Sequence, residues 1–361
     1  MTLQEYLNEK TALLARAGID DAEGEAWFCF AEGTGMDKAT YRFSASEDLE
    51  GFFAPDLIEA MDEIFARRAS HEPLAYISGK APFFDLEFSV GPGVLIPRFD
   101  TEILVETALG TLGLPQMLPG SPNLPSVTSR SLCNSVTNAE KSAFRIIDLC
   151  TGSGCVGITI AHELEKRNIP YDLVMTEISP EAAAFAEKNA ERILGENDSL
   201  NGSSWRVEIT DLWPAESDSQ SEQSGIRPAP AGEKADLIVS NPPYVTKAEM
   251  EDLAPEVKDH EPALALTDEG DGLAIYRRIA EDLKKYLAPG GVIVVEHGCD
   301  QGKDVRAILA SALASDKKDG GSIKTIKDYG KKDRVTCGKM DVRGSQDASM
   351  TPEGSGRLEE A

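Results

Sequence analysis

The stretch IDLCTGSGCVGI, Ile147 to Ile158, carries Gly152, Gly154 and Gly157 in the spacing G-x-G-x-x-G. Alone this spacing is a weak signal, because Gly-rich turns produce it by accident. Its setting is stronger. An apolar run, FRIIDL, precedes it, a helical pattern, VGITIAHELEKRN, follows it, and Glu177 stands twenty residues beyond Gly157 at the end of the next apolar run. Strand, glycine turn and helix in that order form the ligand-binding corner of an open sheet, and a carboxylate at the end of the second strand can accept hydrogen bonds from both hydroxyls of a ribose.

Outward from this corner, strands and helices alternate. FRIIDL and YDLVMTEI suit buried parallel strands; SPEAAAFAEKNAERIL is a helix with Ser179 as its cap and Pro180 in its first turn. SWRVEITDLW, ADLIVSN and GGVIVVEHG supply three more strands, LAIYRRIAEDLKKYL and GKDVRAILASAL two more helices, and SIKTIKDY with DRVTCGK a closing hairpin at a sheet edge. The fold class is α/β, a doubly wound, Rossmann-like sheet with ligands at the carboxyl ends of its strands.

Before the sheet, residues 1–73 read as a helical domain. It opens on a capping box at Thr2 and Glu5, and Leu57, Ile58, Met61, Ile64 and Phe65 line one face of a later helix. Residues 74–98, with β-branched and aromatic residues broken by Gly and Pro, predict a β-hairpin connector, and 99–340 the sheet domain. Two Pro-, Ser- and Gly-rich inserts, at about 114–142 and 214–234, and the tail 341–361 read as disordered.

The chain has 361 residues, 41% of them hydrophobic, and a formal net charge of -26. Such an acidic balance argues against direct nucleic-acid binding, which needs a basic face to release counterions. The six cysteines form no C-x-x-C pair and the four histidines show no ligand spacing to them, so no metal site is expected. With no basic segment leading an apolar core at the N-terminus and no bilayer-length apolar run, a cytoplasmic protein with reduced thiols and no membrane partner is expected. Nothing in the sequence requires more than a monomer.

What the glycine loop faces separates two cofactor classes. A pyrophosphate prefers bare backbone amides, whereas S-adenosylmethionine brings an amino acid and a sulfonium cation. Asp148, just before the loop, suits a cation and repels a diphosphate; the alternative is that it only caps the turn. Asp211 can contact an adenine amino group, with Leu212 or Trp213 against the ring, or be an ordinary strand-end acid beside a core tryptophan.

The strand ADLIVS runs into NPPY, Asn241 to Tyr244. Two prolines fix φ and donate no hydrogen bonds, so the segment leaves the sheet as a rigid corner that exposes acceptors. A primary amide or aromatic amine has two N–H donors and a flat face. Asn241 Oδ1 can accept from one N–H, the Pro242 carbonyl from the other, and Tyr244 can stack on the planar group. Held so, a poorly nucleophilic nitrogen is aimed at a methyl carbon in line with the departing sulfur. The opening stretch therefore faces S-adenosylmethionine.

At this level of detail the sequence resembles the HemK/PrmC family, the release-factor glutamine methyltransferases. The resemblance rests on EPLAYISGKAPFFDLEFSV, VLIPRFDTEILVE, IDLCTGSGCVGI, DLIVSNPPYV, HEPALAL, GDGLAIYRRI, VVEHG and DRV, and it spans most of the chain. It implies a class I S-adenosylmethionine-dependent methyltransferase sheet, with a small N-terminal helical domain that helps dock class-I peptide-chain release factors. The implied reaction is methylation of the glutamine side-chain amide in their Gly-Gly-Gln loop. By motif match, Cys150, Thr151, Gly152, Ser153 and Gly154 surround the methionine part, Glu177 the ribose, and Asp211 and Leu212 the adenine. Asn241, Pro242, Pro243 and Tyr244 hold the glutamine, with Glu261 and Pro262 near it. Arg98, Thr101 and Glu102 lie in the loop closing over the site, although Arg98 and Glu102 could equally form a structural ion pair.

The sequence departs from the family pattern at Phe99, where Pro is usual, at Cys150, where Gly is usual, and at Glu177, where Asp is usual. Cys150 is tolerable if its φ is negative. The closest rival is a DNA or RNA adenine methyltransferase, whose amine would fit the same corner but whose substrate needs a basic face. A nicotinamide-dependent oxidoreductase or a non-catalytic binding module leaves NPPY without a role.

Overall fold

The computed structural model describes residues 1–114, 143–195, 202–215, 234–314 and 322–341. The two inserts and the tail expected to be disordered lie almost entirely outside the described residues.

The chain opens with α1 (Leu3–Arg16), α2 (Ala22–Thr34), α3 (Lys38–Ser44), α4 (Leu49–Phe52) and α5 (Pro55–Ala69). The capping box forms as expected: the Glu5 amide donates to Thr2 Oγ1 at 3.2 Å and the Thr2 amide to Glu5 Oε2 at 2.8 Å. Met61 and Phe65, one turn apart on α5, are fully buried against Leu3, Leu14 and Phe30. Truncating a phenylalanine in such a core costs about 3–5 kcal/mol.

The connector is shorter than the sequence suggests. Leu74–Ser78 forms a helix, α6, ended by Gly79 at φ +74°. Its aromatic and branched residues serve packing rather than a strand: Tyr76 is buried and its hydroxyl donates to the Val94 carbonyl at 2.7 Å. Only β1 (Lys80–Phe83) and β2 (Leu86–Ser89) make the hairpin, an antiparallel pair separate from the main sheet.

Then come α7 (Glu102–Thr111), β3 (Phe144–Leu149), α8 (Cys155–Glu165), β4 (Tyr171–Glu177), α9 (Pro180–Leu194), β5 (Ser204–Ile209) and β6 (Ala235–Ser240). After these come the short α10 (Pro255–Lys258) and α11 (Ala263–Leu266), α12 (Ala274–Tyr286), β7 (Leu287–Glu296), α13 (Gly302–Leu313), β8 (Ile323–Lys327) and β9 (Asp333–Lys339). Seven strands form one sheet in the order β5-β4-β3-β6-β7-β9-β8. β3 to β7 run parallel to one another; β9 runs antiparallel between β7 and β8, so the expected closing hairpin inserts its second strand inside the edge.

Helices cover both faces. Ile146 packs with α7 and α8, while the next residue, Ile147, packs with α12 and α13, as a strand buried on both sides requires. The chain reverses direction across the sheet at β3, whose neighbours are β4 and β6, and this switch point opens the crevice where a ligand binds. Among the described residues no helix is long and apolar enough to cross a membrane, and Cys29, Cys150, Cys155, Cys299 and Cys337 are all free thiols.

Candidate active site

The glycine loop is fastened to the end of β4. The Thr151 amide donates to the Thr176 carbonyl at 3.0 Å, and the Gly152 amide to Glu177 Oε2 at 2.9 Å. Gly152 and Gly154 have φ of +57° and +83°, which glycine adopts without strain. Gly157 is required by proximity. A Cβ there would lie 2.9 Å from Asp148 Oδ2, the oxygen to which its own amide donates at 3.0 Å.

Asp148 is fully buried and also accepts from Thr151 Oγ1 at 2.5 Å, again on Oδ2. It therefore does cap the turn, and it lines the cavity as well. Burial raises its pKa to about 7, helped by the negative Glu177 and opposed by the Thr151 and Gly157 hydrogen bonds.

The condition set for Cys150 is not met. Its φ is +56°, the left-handed region, which costs a side chain about 1–2 kcal/mol. The left-handed turn is made here with a side chain in place. Burial also pushes its thiol up to about 12, so it is not a thiolate. The Glu177 carboxylate already accepts from the amides of Ile178 at 2.9 Å and Ser179 at 3.0 Å on Oε1, besides Gly152 on Oε2. About one of its four lone-pair positions remains for a ribose hydroxyl.

A cavity of about 550 Å³ opens above the loop. Asp148, Cys150, Thr151, Gly152, Ser153, Glu177, Asp211, Leu212, Asn241, Pro243, Arg98 and Thr101 all line it. Gly154, Pro242, Tyr244, Glu102 and Glu261 do not. Asp211 is not a lone acid: it pairs with Arg278 of α12 at 2.9 Å. Leu212 lines the cavity with φ +82°, but Trp213 turns into the core and stacks on Tyr286, with ring centroids 4.4 Å apart and planes 3° from parallel. Sequence reasoning missed Arg278, Asp268 and Glu269, which also line the cavity. Asp268 carries a visible signal as the acid before α12, where it accepts from the amides of Gly270, Gly272 and Ala274. Nothing local shows that this cap faces the cavity. With Asp148, Glu177, Asp211, Asp268 and Glu269 against Arg98 and Arg278, the lining suits a guest that carries positive charge.

The Asn-Pro-Pro-Tyr corner leaves the end of β6. Asn241 Nδ2 donates to Thr101 Oγ1 at 3.1 Å, which commits the nitrogen end of the amide to the protein. No described residue donates to Oδ1. Tyr244 donates through its hydroxyl to Glu296 Oε1 at 3.3 Å and accepts at its carbonyl from Gln301 Nε2 at 2.9 Å. Gly272, at φ +71°, passes so close that a Cβ would lie 2.2 Å from that carbonyl. The corner is thus held on both sides.

The loop over the site is tied down differently from the expected pattern. Arg98 does not pair with Glu102. It forms an ion pair with Glu261, which also accepts from the Ile96 amide at 3.1 Å. Glu102 does not line the cavity and accepts from the Phe84 amide at 3.0 Å, joining α7 to the hairpin. Asp100 pairs with Arg334 of β9 at 3.0 Å, and Phe99 is exposed. The segment leading to Glu261 is anchored in turn on the N-terminal helices: Glu256 of α10 meets Arg68 at 2.9 Å and His71 at 3.1 Å, and Arg68 also holds Glu25.

A sheet whose antiparallel seventh strand slips inside its edge, with a cation-favouring cleft at its switch point and a rigid amide-accepting corner beside it, defines an S-adenosylmethionine-dependent methyltransferase of class I. The particular family follows from comparison with known proteins. Residues 5–79 match the PrmC N-terminal domain. The release factor glutamine methyltransferase of Geobacter sulfurreducens is 32% identical over 309 residues, 86% of this chain and 88% of that protein. That of Haemophilus influenzae is 31% identical over 343 residues, 94% and 99% of the two chains. A bifunctional methyltransferase of Rickettsia felis is 37% identical over 257 residues, and there the match spans only 44% of the longer protein. The chain belongs to the release factor glutamine methyltransferase family.

Proposed function

We propose that this protein transfers a methyl group from S-adenosylmethionine to the side-chain amide nitrogen of the glutamine in the Gly-Gly-Gln loop of class-I peptide-chain release factors. The names of its relatives support this substrate. The observation that carries the chemistry is the Asn241–Thr101 hydrogen bond, which leaves Oδ1 as the acceptor presented to a substrate N–H.

The cofactor supplies an electrophilic methyl group on a sulfonium, with a neutral thioether as leaving group. The protein supplies position. Cys150 to Gly154 surround the methionine portion, Glu177 accepts from the ribose, and Asp211 and Leu212 border the adenine. Asn241 Oδ1 and the Pro242 carbonyl accept the two amide hydrogens, Pro243 borders the substrate, and Tyr244 bears on the flat carboxamide. Arg98, Thr101 and Glu261 close the loop, and Glu102 supports it from behind. The amide nitrogen, held on a line with the methyl carbon and sulfur, needs no strong base, because once methylated it can lose its proton to water.

In this reading the helices of residues 1–73 dock the release factor, 74–98 connect them to the methyltransferase domain 99–340, and the enzyme works as a cytoplasmic monomer without binding nucleic acid directly. The acidic net charge of -26 supports that last point. Incubating the full chain with labelled methyl donor and, in competition, release factor, DNA and rRNA tests the proposal. Label is expected in the release factor; label in nucleic acid overturns it in favour of an adenine methyltransferase.

A further inference from the structure

Glu296 ends β7 directly behind the substrate corner, 1% exposed, and belongs to no contact described for the cofactor. Its Oε1 accepts from the Tyr244 hydroxyl at 3.3 Å, while Oε2 is buried without a hydrogen-bond partner of its own. The Thr101 hydroxyl, which receives Asn241 Nδ2, is among the groups that favour the ionised form of the same carboxyl. A hydroxyl has one hydrogen and two lone pairs. Directed at an acceptor on Glu296, the Thr101 hydrogen leaves a lone pair for Asn241.

We propose that Glu296 is the positioning residue of the substrate corner. From one buried carboxylate it fixes the Tyr244 ring directly and, through Thr101, the Asn241 amide, so that Oδ1 faces the substrate. This rests on the reading of Asn241 and Tyr244 given above. Glu296 acts as an acceptor toward both hydroxyls, which is the role of its ionised form.

The groups that face it are Tyr244 from the corner, Asp100 and Thr101 from the closing loop, Arg334 from β9, Cys155 from α8 and Tyr276 from α12. Burial raises its pKa to about 7; Thr101, Arg334 and Tyr244 oppose the rise and Asp100 adds to it. Ionisation, and with it the fixed corner, is therefore gained as pH rises through about 7.

Glu296→Gln keeps the shape but places an N–H donor or a weaker acceptor where the two hydroxyls need a carboxylate. At saturating S-adenosylmethionine this variant is expected to lose roughly 10- to 100-fold in kcat for release-factor methylation, with cofactor affinity unchanged. The rise of wild-type kcat through neutral pH disappears in it. Thr101→Val loses similarly, Thr101→Ser restores activity, and the Glu296→Gln/Thr101→Val double variant is little worse than the worse single one.

Independently of any substrate, the side-chain amide resonance of Asn241 in ¹⁵N-labelled full-length protein should shift with pH near 7 in the wild type and stay fixed in Glu296→Gln. A pH-invariant Asn241 resonance in the wild type overturns the proposal. So does a Glu296→Gln enzyme with wild-type kcat and pH profile, or losses that multiply independently in the double variant. If the wild type methylates no release factor, the functional reading fails while the resonance still decides the role of Glu296.

Discussion

Arg98 and Glu261, 163 residues apart in sequence, meet in an ion pair over the mouth of the cleft, and the two partners are unequally buried. The Glu261 side chain is 1% exposed and the Arg98 side chain 39%. Breaking such a pair from the arginine side strands a buried charge; breaking it from the glutamate side releases an arginine to water.

Arg98→Met is therefore expected to impair methyl transfer and lower the melting temperature more than Glu261→Gln, which still can accept from the Ile96 amide. Steady-state kinetics and thermal melts of both variants check the order, and a larger defect in Glu261→Gln would contradict it.

Asn241→Ala removes the amide acceptor without touching the glycine loop. S-adenosylmethionine binding, measured by calorimetry, is expected to persist within about threefold, while kcat falls by at least about 100-fold. Full turnover in this variant would remove the clamp from the mechanism.

Asp148 gives a pH dependence with a definite sign. Its folded pKa, about 7, lies above the ordinary 3.8, so between those values the folded protein holds a proton that the unfolded chain has released. Stability from this group is complete below about 4 and is lost as pH rises through 7; Glu296, also raised to about 7, acts in the same direction. A cationic cofactor favours the ionised form, so below pH 7 binding expels a proton and affinity climbs with pH. Calorimetry in buffers of different ionisation enthalpy should detect this release in the wild type and lose most of it in Asp148→Asn.

Cys150 holds a left-handed backbone that its side chain resists. Cys150→Gly relieves that strain and loses some stability to the freer unfolded chain, for a net gain of up to about 1 kcal/mol. A rise of a few degrees in melting temperature with unchanged kcat is the expected result; a fall would show that thiol packing outweighs the backbone.

The repeating elements were legible because their signals are local. Alternation of apolar runs with amphipathic segments predicted the strands and helices of the sheet, Ser179 caps α9 as expected by accepting from the Ala182 amide, and the Thr2–Glu5 box starts α1. Leu74–Ser78 misled because strand-like side chains there bury against Val94, a tertiary contact that overrides weak local preference. For Trp213 the sequence left adenine contact and core burial both open, because no neighbouring residue announces Tyr286, the ring it stacks on.

By itself the sequence determined the α/β order, the glycine corner and the proline-stiffened corner after β6, since each depends on backbone geometry that a few neighbouring residues impose. Only the tertiary structure decided which partner each charged group takes. Glu261 rather than Glu102 meets Arg98, Arg278 meets Asp211, and Glu296 stands behind Tyr244. Those pairings join elements from distant parts of the chain, and the burial of Glu261 and Glu296 exists only once the sheet has closed its faces.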